Sequence, residues 1–194
     1  SRQRIIISSF HSSKVISSVE GGIISTNDKS LFHKLEISTD ILKINRDERL
    51  MPPTAIKYNL TFSCRPSELN FIWGYLQLKQ LPKFIRERQK SAKYYLQKLD
   101  KNKYSIPKYN SSTTYYRFII GLKTSTVPKM LVYLKRKGIE GGRGVYPLLS
   151  HYLKITSPKN AATAINRSLS IPLYPGLEVK QLNQIITALN NYDE

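Results

Sequence analysis

The 194-residue sequence predicts an α/β or α+β layer structure, because segments with strand composition alternate with segments of helical period. Hydrophobic residues make up 40% of the chain and aromatic residues 10%, enough for a buried core in one substantial domain or two small ones. The sequence contains no internal repeat.

The first elements are short. An apolar triplet at residues 5–7 predicts a strand cut from its sheet, because no earlier element exists to pair with it or cover it. Gly21 and Gly22 predict a turn into a second short strand over 23–26. Asn27-Asp28 then offers an N-cap for a helix over about 29–37.

A long helical segment follows an irregular one. Residues 38–58 have no steady period and predict an irregular crossing between regions. Pro66 suits the first turn of a helix, and apolar residues then follow helical spacing as far as Leu99. The pattern predicts one long amphipathic helix or two helices joined at Pro82.

The remaining predicted elements alternate in type. In chain order they are a strand within 114–122, a helix over 127–137 ended by Gly138, a glycine-rich strand or loop over 139–146, a short helix over 159–166, an extended piece over 169–173 and a final amphipathic helix over 178–189.

Charge is the strongest signal in the composition. The chain carries 31 Lys+Arg against 13 Asp+Glu, a net charge of +18, which attracts polyanions. The basic residues are spread along the chain and match no recognised nucleic-acid motif, so we expect no specific nucleic-acid partner. Biased composition with solvated lysines, or the lack of an acidic partner segment, accounts for the same charge.

Cellular location and metal chemistry are bounded by a few residues. No run of 18 apolar residues exists, and the start does not resemble a signal peptide, so we expect a cytoplasmic protein without a membrane span. The single cysteine, Cys64, forms no internal disulfide, and three scattered histidines suggest no metal site.

The segment around Lys14 carries the functional hypothesis. A neutral lysine amine bonds aldehyde cofactors, although most lysines are surface residues. Here Ser9-Phe10-His11-Ser12-Ser13-Lys14 precedes Glu20-Gly21-Gly22, a short apolar strand and Asn-Asp. This spacing resembles the DegT/DnrJ/StrS family of nucleotide-sugar aminotransferases, which depend on pyridoxal 5'-phosphate (PLP).

The resemblance implies specific roles for two residues. Lys14 would bond PLP and move the proton between substrate and cofactor, and Ser9 would donate a hydrogen bond to the cofactor phosphate. Without the resemblance, Ser9 reads as a turn serine and His11 as a structural histidine. The two glycines are expected to shape the turn without touching the cofactor.

Later segments are similar to the same family. They are Arg65-Pro66-Ser67-Glu68-Leu69-Asn70, Gly138-Ile139-Glu140 before Tyr146-Pro147-Leu148, and residues 170–177. Where the family commonly has Gly-Tyr-Asn-Tyr-Arg, this chain has Thr61-Phe62-Ser63-Cys64-Arg65. The resemblance implies that Ser63, or Asn59 if the register slips, reaches the phosphate in the other subunit. Arg143 either binds an anionic substrate group or is a solvated loop arginine.

The resemblance also implies a fold and a reaction. The chain would be the C-terminal part of an aspartate-aminotransferase-like, fold type I enzyme. Residues 1–60 would end the large PLP-binding domain, and residues 61–194 would form a long connecting helix and a small C-terminal domain. The complete enzyme would transfer an amino group from an amino acid such as glutamate to a keto-sugar nucleotide in polysaccharide or surface-sugar biosynthesis. The lysine at position 14 favours this reaction over that of the family's dehydratases, in which a histidine replaces it.

Completeness decides whether this chain is itself an enzyme. The family's phosphate-binding Gly/Thr turn, its ring-stacking aromatic and its ring-facing Asp have no counterpart here, so the chain alone should bind PLP poorly. A homodimer, or a partner that supplies the missing N-terminal half, is therefore expected. The alternatives are a catalytically inactive truncated paralog or subunit-pairing module, and a basic nucleic-acid-binding domain.

Overall fold

A computed structural model describes residues 4–39, 64, 66–144, 148–156 and 158–193. The chain divides into two compact units, Ser1–Leu81 and Pro82–Glu194. The domain boundary expected between residues 60 and 61 lies outside the described residues and stays a prediction.

The first unit begins with an antiparallel strand pair. Strand β1 (Ile5–Ser9) pairs with β2 (Gly22–Thr26), so that Ile5 faces Thr26 and Ser9 faces Gly22. Helix α1 (Lys29–Thr39) follows, and the Asp28 carboxylate caps it by accepting a 3.1 Å hydrogen bond from the backbone N–H of Leu31. The predicted strands, the N-cap and the helix are confirmed.

Both faces of this strand pair are exposed. Ile6 and Ile7 are consecutive, so their side chains point to opposite faces, and they are 60% and 75% exposed. Ile23 and Ile24, consecutive on β2, are 50% and 45% exposed. A two-stranded pair is marginally stable by itself. The described residues therefore leave this apolar surface uncovered.

Helix α2 (Glu68–Lys98) is a single helix with Pro82 in its interior, and the boundary between the two units falls at that proline. Its start is capped reciprocally. The backbone N–H of Asn70 donates to Ser67 Oγ, and that of Ser67 donates to Asn70 Oδ1. Of the two arrangements predicted for this segment, the single helix is confirmed.

The second unit is a four-stranded antiparallel sheet covered by helices. The strand order is β3 (Tyr104–Ser105), β4 (Phe118–Leu122), β6 (Ser168–Ile171) and β5 (Gly142–Arg143). Its other helices are α3 (Val127–Arg136), α4 (Leu149–Tyr152), α5 (Lys159–Arg167) and α6 (Val179–Asn190).

All buried hydrophobic residues of the described chain lie in the second unit, and the largest fully buried ones include Tyr95, Phe118 and Leu134. Two core tyrosines keep their hydroxyls bonded. Tyr95 donates to the Pro172 carbonyl at 2.8 Å, and Tyr104 donates to the Leu189 carbonyl at 2.7 Å. Burial raises the pKa of both phenols above the usual range.

Two predicted boundaries needed correction. The strand expected within 114–122 begins only at Phe118, because Tyr115 adopts a left-handed φ of 47° that interrupts extended backbone. The connection expected after residue 147 contains the short helix α4. Gly138 ends α3 with a φ of 71°, as its position predicted.

No helix in the described part of the chain is long and apolar enough to cross a membrane. Within the same residues, no group of three His, Cys, Asp or Glu side chains could hold a metal ion.

Candidate active site

The loop that joins β1 to β2, residues 10–21, contains Lys14 and is called the Lys14 loop below. Its base is closed by two backbone hydrogen bonds, from Phe10 N to the Gly21 carbonyl and from Ser18 N to the Phe10 carbonyl, both 2.9 Å. Gly21 has a φ of 126°, which strongly favours glycine. A Cβ on Gly22 would lie 2.7 Å from the Ser8 carbonyl oxygen. The prediction that these glycines shape the turn is confirmed.

Lys14 lies in a tight turn of this loop. Its backbone N–H donates a 2.9 Å hydrogen bond to the His11 carbonyl, which closes a β-turn over His11–Lys14. The side chain is exposed. The backbone of Lys14 is therefore fixed while its amine faces solvent.

Ser9 ends β1 and so enters the same loop from the strand side. Its Oγ accepts a long hydrogen bond of 3.4 Å from the backbone N–H of His11. A hydroxyl that accepts one bond keeps its own hydrogen for donation. Ser9 and Lys14, the two loop residues expected to serve the cofactor, are thus held in one short segment.

His11 is bonded within the loop. Its Nδ1 accepts a 3.2 Å hydrogen bond from the backbone N–H of Ser13 and lies 3.0 Å from Ser13 Oγ. Because Nδ1 is the acceptor, the ring proton sits on Nε2, which lies 3.6 Å from the Glu20 carboxylate. These contacts support the interpretation of His11 as a structural residue.

Helix α2 holds the far side of the loop through Ser18. Ser18 is only 5% exposed, and its Oγ donates a 2.7 Å hydrogen bond to the Glu20 carbonyl. Its own carbonyl accepts a bond from the side-chain amide of Asn70. A Cβ on Gly74 would lie 3.1 Å from the Ser18 Cβ, so a glycine at this position lets the helix approach.

Sequence reasoning missed this contact. Asn70 and Gly74 stood out only as part of a resemblance, with no role attached. A glycine inside an otherwise regular helix costs about 1 kcal/mol relative to alanine, and that cost was the available signal of a close approach.

An apolar cavity of about 280 Å³ lies between the loop and the first turns of α2. Phe10, Ile16 and Ile23 line it from the hairpin side, and Phe71 and Leu78 line it from the helix side. The contacts of the Lys14 loop with the helix are therefore both polar, at Ser18, and apolar.

The other expected site residues do not join this group. Ser63 and its alternative Asn59 lie outside the described residues, as does Arg65. Arg143 belongs to the second unit, where it is exposed on β5.

Comparison with known proteins identifies the family. The model of the DegT/DnrJ/EryC1/StrS aminotransferase family, whose members use PLP, matches residues 1–190. The chain is 28% identical over 194 residues to dTDP-4-amino-4,6-dideoxy-D-glucose transaminase of Shigella dysenteriae, covering 93% of this chain and 50% of that protein. It is 29% identical over 150 residues to GDP-4-keto-6-deoxy-D-mannose 3-dehydratase of Escherichia coli O55:H7, covering 69% and 38%.

Solved structures show the same fold. The aminotransferase TlmJ of Streptoalloteichus hindustanus superposes with a TM-score of 0.76 at 21% identity, covering 96% of this chain and 51% of that one. The expected fold, part of a fold type I aminotransferase, is confirmed. The chain spans about half the length of the relatives it matches. As its loop residues predicted, the chain belongs to the DegT/DnrJ/EryC1/StrS aminotransferase family.

Proposed function

We propose that this chain supplies the cofactor lysine, Lys14, to a PLP-dependent aminotransferase. The reaction is transfer of an amino group from an amino acid such as glutamate to a keto-sugar nucleotide, in polysaccharide or surface-sugar biosynthesis. The observation that carries the proposal is the Lys14 loop: an exposed lysine on a hydrogen-bonded turn, with a serine hydroxyl at the loop entrance.

The residues present fit PLP chemically. The cofactor has an aldehyde, which a lysine amine can bond, and a phosphate, which a hydroxyl donor stabilises. Lys14 supplies the amine and Ser9 the hydroxyl. Ser63, or Asn59 in its place, is proposed as a second phosphate donor that acts across a subunit interface.

When bound, PLP supplies an electron sink for the carbanion that forms at the substrate carbon. Lys14 acts as the acid–base group: its neutral amine takes the proton from the amino-donor carbon and returns it to the cofactor side. Ser9 orients the phosphate, and the turn over His11–Lys14 fixes the lysine backbone from which the amine reaches.

The lysine also separates two reactions within the family. Dehydration of a keto-sugar, the activity named for the Escherichia coli relative, is the competing function. The resemblance ascribes a histidine to the dehydratases at the position that Lys14 occupies. We therefore propose amino transfer.

The exposed hairpin supports a partner polypeptide. Isoleucines on both faces of the β1–β2 pair are uncovered in the described residues, and burial of such side chains contributes about 1.5–3 kcal/mol each. We propose that the N-terminal half of the family fold covers this surface, and that the complete enzyme is a homodimer. The cytoplasm is the proposed location, and no specific nucleic acid is proposed as a partner.

Amino transfer tests this function. The 194-residue chain is co-purified with the N-terminal half of the Shigella transaminase and PLP, and 2-oxoglutarate formation from glutamate is measured with a dTDP-4-keto sugar. We expect transfer with the natural chain and with Lys34→Ala, an exposed lysine of α1, and at least about a thousandfold less with Lys14→Ala. A complex that forms and transfers equally well with Lys14→Ala would refute the proposal.

A further inference from the structure

A second candidate site lies wholly in the C-terminal unit, at one end of the sheet. Strands β4 and β5 begin there and β6 ends there, because β6 is antiparallel to both. The open cleft at this end has a volume of about 430 Å³, within the range of small-molecule sites. Its lining includes two arginines, Arg117 and Arg143.

The two arginines are brought together across β6. Arg117 immediately precedes β4, and its Nη1 donates a 3.4 Å hydrogen bond to the backbone carbonyl of Arg143 on β5. The Arg117 guanidinium also lies 5.4 Å from the centre of the Tyr116 ring, within cation–π range. A guanidinium has five N–H donors, and the Arg143 carbonyl takes one of them.

The walls of the cleft are tied to a buried cation that does not itself line it. Arg88 on α2 is 9% exposed, and its Nη1 donates to the carbonyls of Tyr115, Tyr116 and Leu173. Tyr116 and Leu173 belong to opposite stretches of the lining, one before β4 and one after β6. Arg88 therefore holds the two walls at a fixed separation.

The floor of the cleft is open because Gly142 carries no side chain. A Cβ there would approach only the Ser170 side chain, at 4.0 Å, so packing does not require a glycine at this position. The neighbouring Gly144 differs: its Cβ would lie 2.8 Å from Ile119. We conclude that Gly142 leaves room for something other than the protein's own core.

The charge of the lining and its surroundings favours an anion with more than one negative charge. Arg117 and Arg143 contribute two positive charges, and the Glu140 carboxylate, also in the lining, contributes one negative charge. The unit around the cleft has 20 Lys+Arg against six Asp+Glu. Such a field concentrates a diphosphate more strongly than a singly charged amino acid.

We propose that this cleft binds the diphosphate of a nucleoside diphosphate group, with Arg117 and Arg143 as its ligands. Guanidinium groups match phosphate oxygens in paired hydrogen bonds. The apolar atoms of Ile171, Pro172 and Leu173 offer a surface for the rest of the ligand. This inference rests on the proposed function for the identity of the ligand, the nucleotide part of a nucleotide sugar, and assigns Arg143 an anion-binding role.

The test is a titration of the full chain with UDP and dTDP. Arg143→Gln, which changes an exposed side chain, should weaken binding at least about tenfold, as should Arg117→Gln. Glu140→Gln should tighten binding several-fold. The matched control is Arg136→Gln, an exposed arginine of α3 outside the cleft, with an expected change below twofold.

Two further ligands identify what the cleft recognises. Uridine without phosphate should bind at least tenfold more weakly than UDP, and glutamate should not displace UDP at equal concentration. Equal affinity of the natural chain and Arg143→Gln for UDP would overturn the proposal, as would displacement by glutamate. An absence of transfer in the Lys14 assay leaves this titration unaffected, so the two proposals fail separately.

Discussion

Asn70, in the first turn of α2, donates its side-chain amide to the backbone carbonyl of Ser18, 52 residues earlier in the Lys14 loop. The same side chain accepts hydrogen bonds from Ser67 at the start of the helix. One residue thus caps the helix and anchors the loop that carries the candidate cofactor lysine.

Asn70→Asp separates these two roles. Aspartate keeps the acceptor oxygen that serves Ser67 but loses the amide donor to Ser18. We expect amide exchange at Phe10 and Ser18 to accelerate about fivefold, which corresponds to the loss of roughly 1 kcal/mol. Hydrogen-exchange NMR of the natural chain and the variant measures this. The amides of the β4–β6 ladder serve as the internal control, and unchanged exchange at Phe10 and Ser18 would contradict the anchoring role.

Gly22→Ala probes the close approach of the two strands. An added Cβ would lie 2.7 Å from the Ser8 carbonyl oxygen, and backbone atoms cannot rotate away as a side chain can. We expect the strand pair to separate or shift, at a cost of about 1–3 kcal/mol. Hydrogen exchange at Ile7 and Ile24 would report this as lost protection. Matched measurements on Ser25→Ala, an exposed position on the same strand, should show protection retained.

Arg88→Met tests the buried guanidinium. The substitution keeps an unbranched side chain but leaves the carbonyls of Tyr115, Tyr116 and Leu173 without this donor. Burial lowers the pKa of Arg88, and among the described residues its Nε has no hydrogen-bond partner, so the three carbonyl contacts offset the cost of burying the charge. We expect the free energy of unfolding to fall by about 3 kcal/mol in urea titrations. Arg86→Met, two residues away on the exposed side, should change it by less than about 0.5 kcal/mol.

Alkaline pH should weaken the second unit through Tyr95 and Tyr104. Burial raises the pKa of both phenols in the folded chain, so their contribution is complete below the unfolded pKa of about 10 and is lost as the pH rises toward the folded value. Each tyrosine should add a slope of up to about 1.4 kcal/mol per pH unit to the free energy of unfolding. Between pH 10 and 12, Tyr95→Phe should be destabilised less steeply than the natural chain. Parallel pH curves for the two proteins would rule out this cause.

Local patterns predicted most of the fold. The caps at Asp28 and Gly138 and the spacing of the helices depend on neighbouring residues, so the sequence displayed them directly. The start of β4 was wrong, because the left-handed Tyr115 precedes it in a segment of strong strand composition. The carbonyls bonded by Arg88 come from segments 27 to 85 residues away, and no local pattern encodes such a contact.

The candidate site divides in the same way. Lys14 and Ser9 were found because a family resemblance attaches chemistry to residues close in sequence. The anchoring of Ser18 by Asn70 and the pairing of Arg117 with Arg143 were not found, since each joins residues that only the folded chain brings together.

Site-resolved labelling tests the central claim, that Lys14 is the cofactor lysine, most directly. The full chain, alone and with the N-terminal half of the Shigella transaminase, is treated with PLP and borohydride, and the modified lysines are located by mass spectrometry. We predict that Lys14 is labelled at least about tenfold more than Lys34 in the complex, and that Lys14→Arg removes this selective label without increasing it elsewhere. Equal labelling of Lys14 and Lys34 in a stable complex would contradict the assignment.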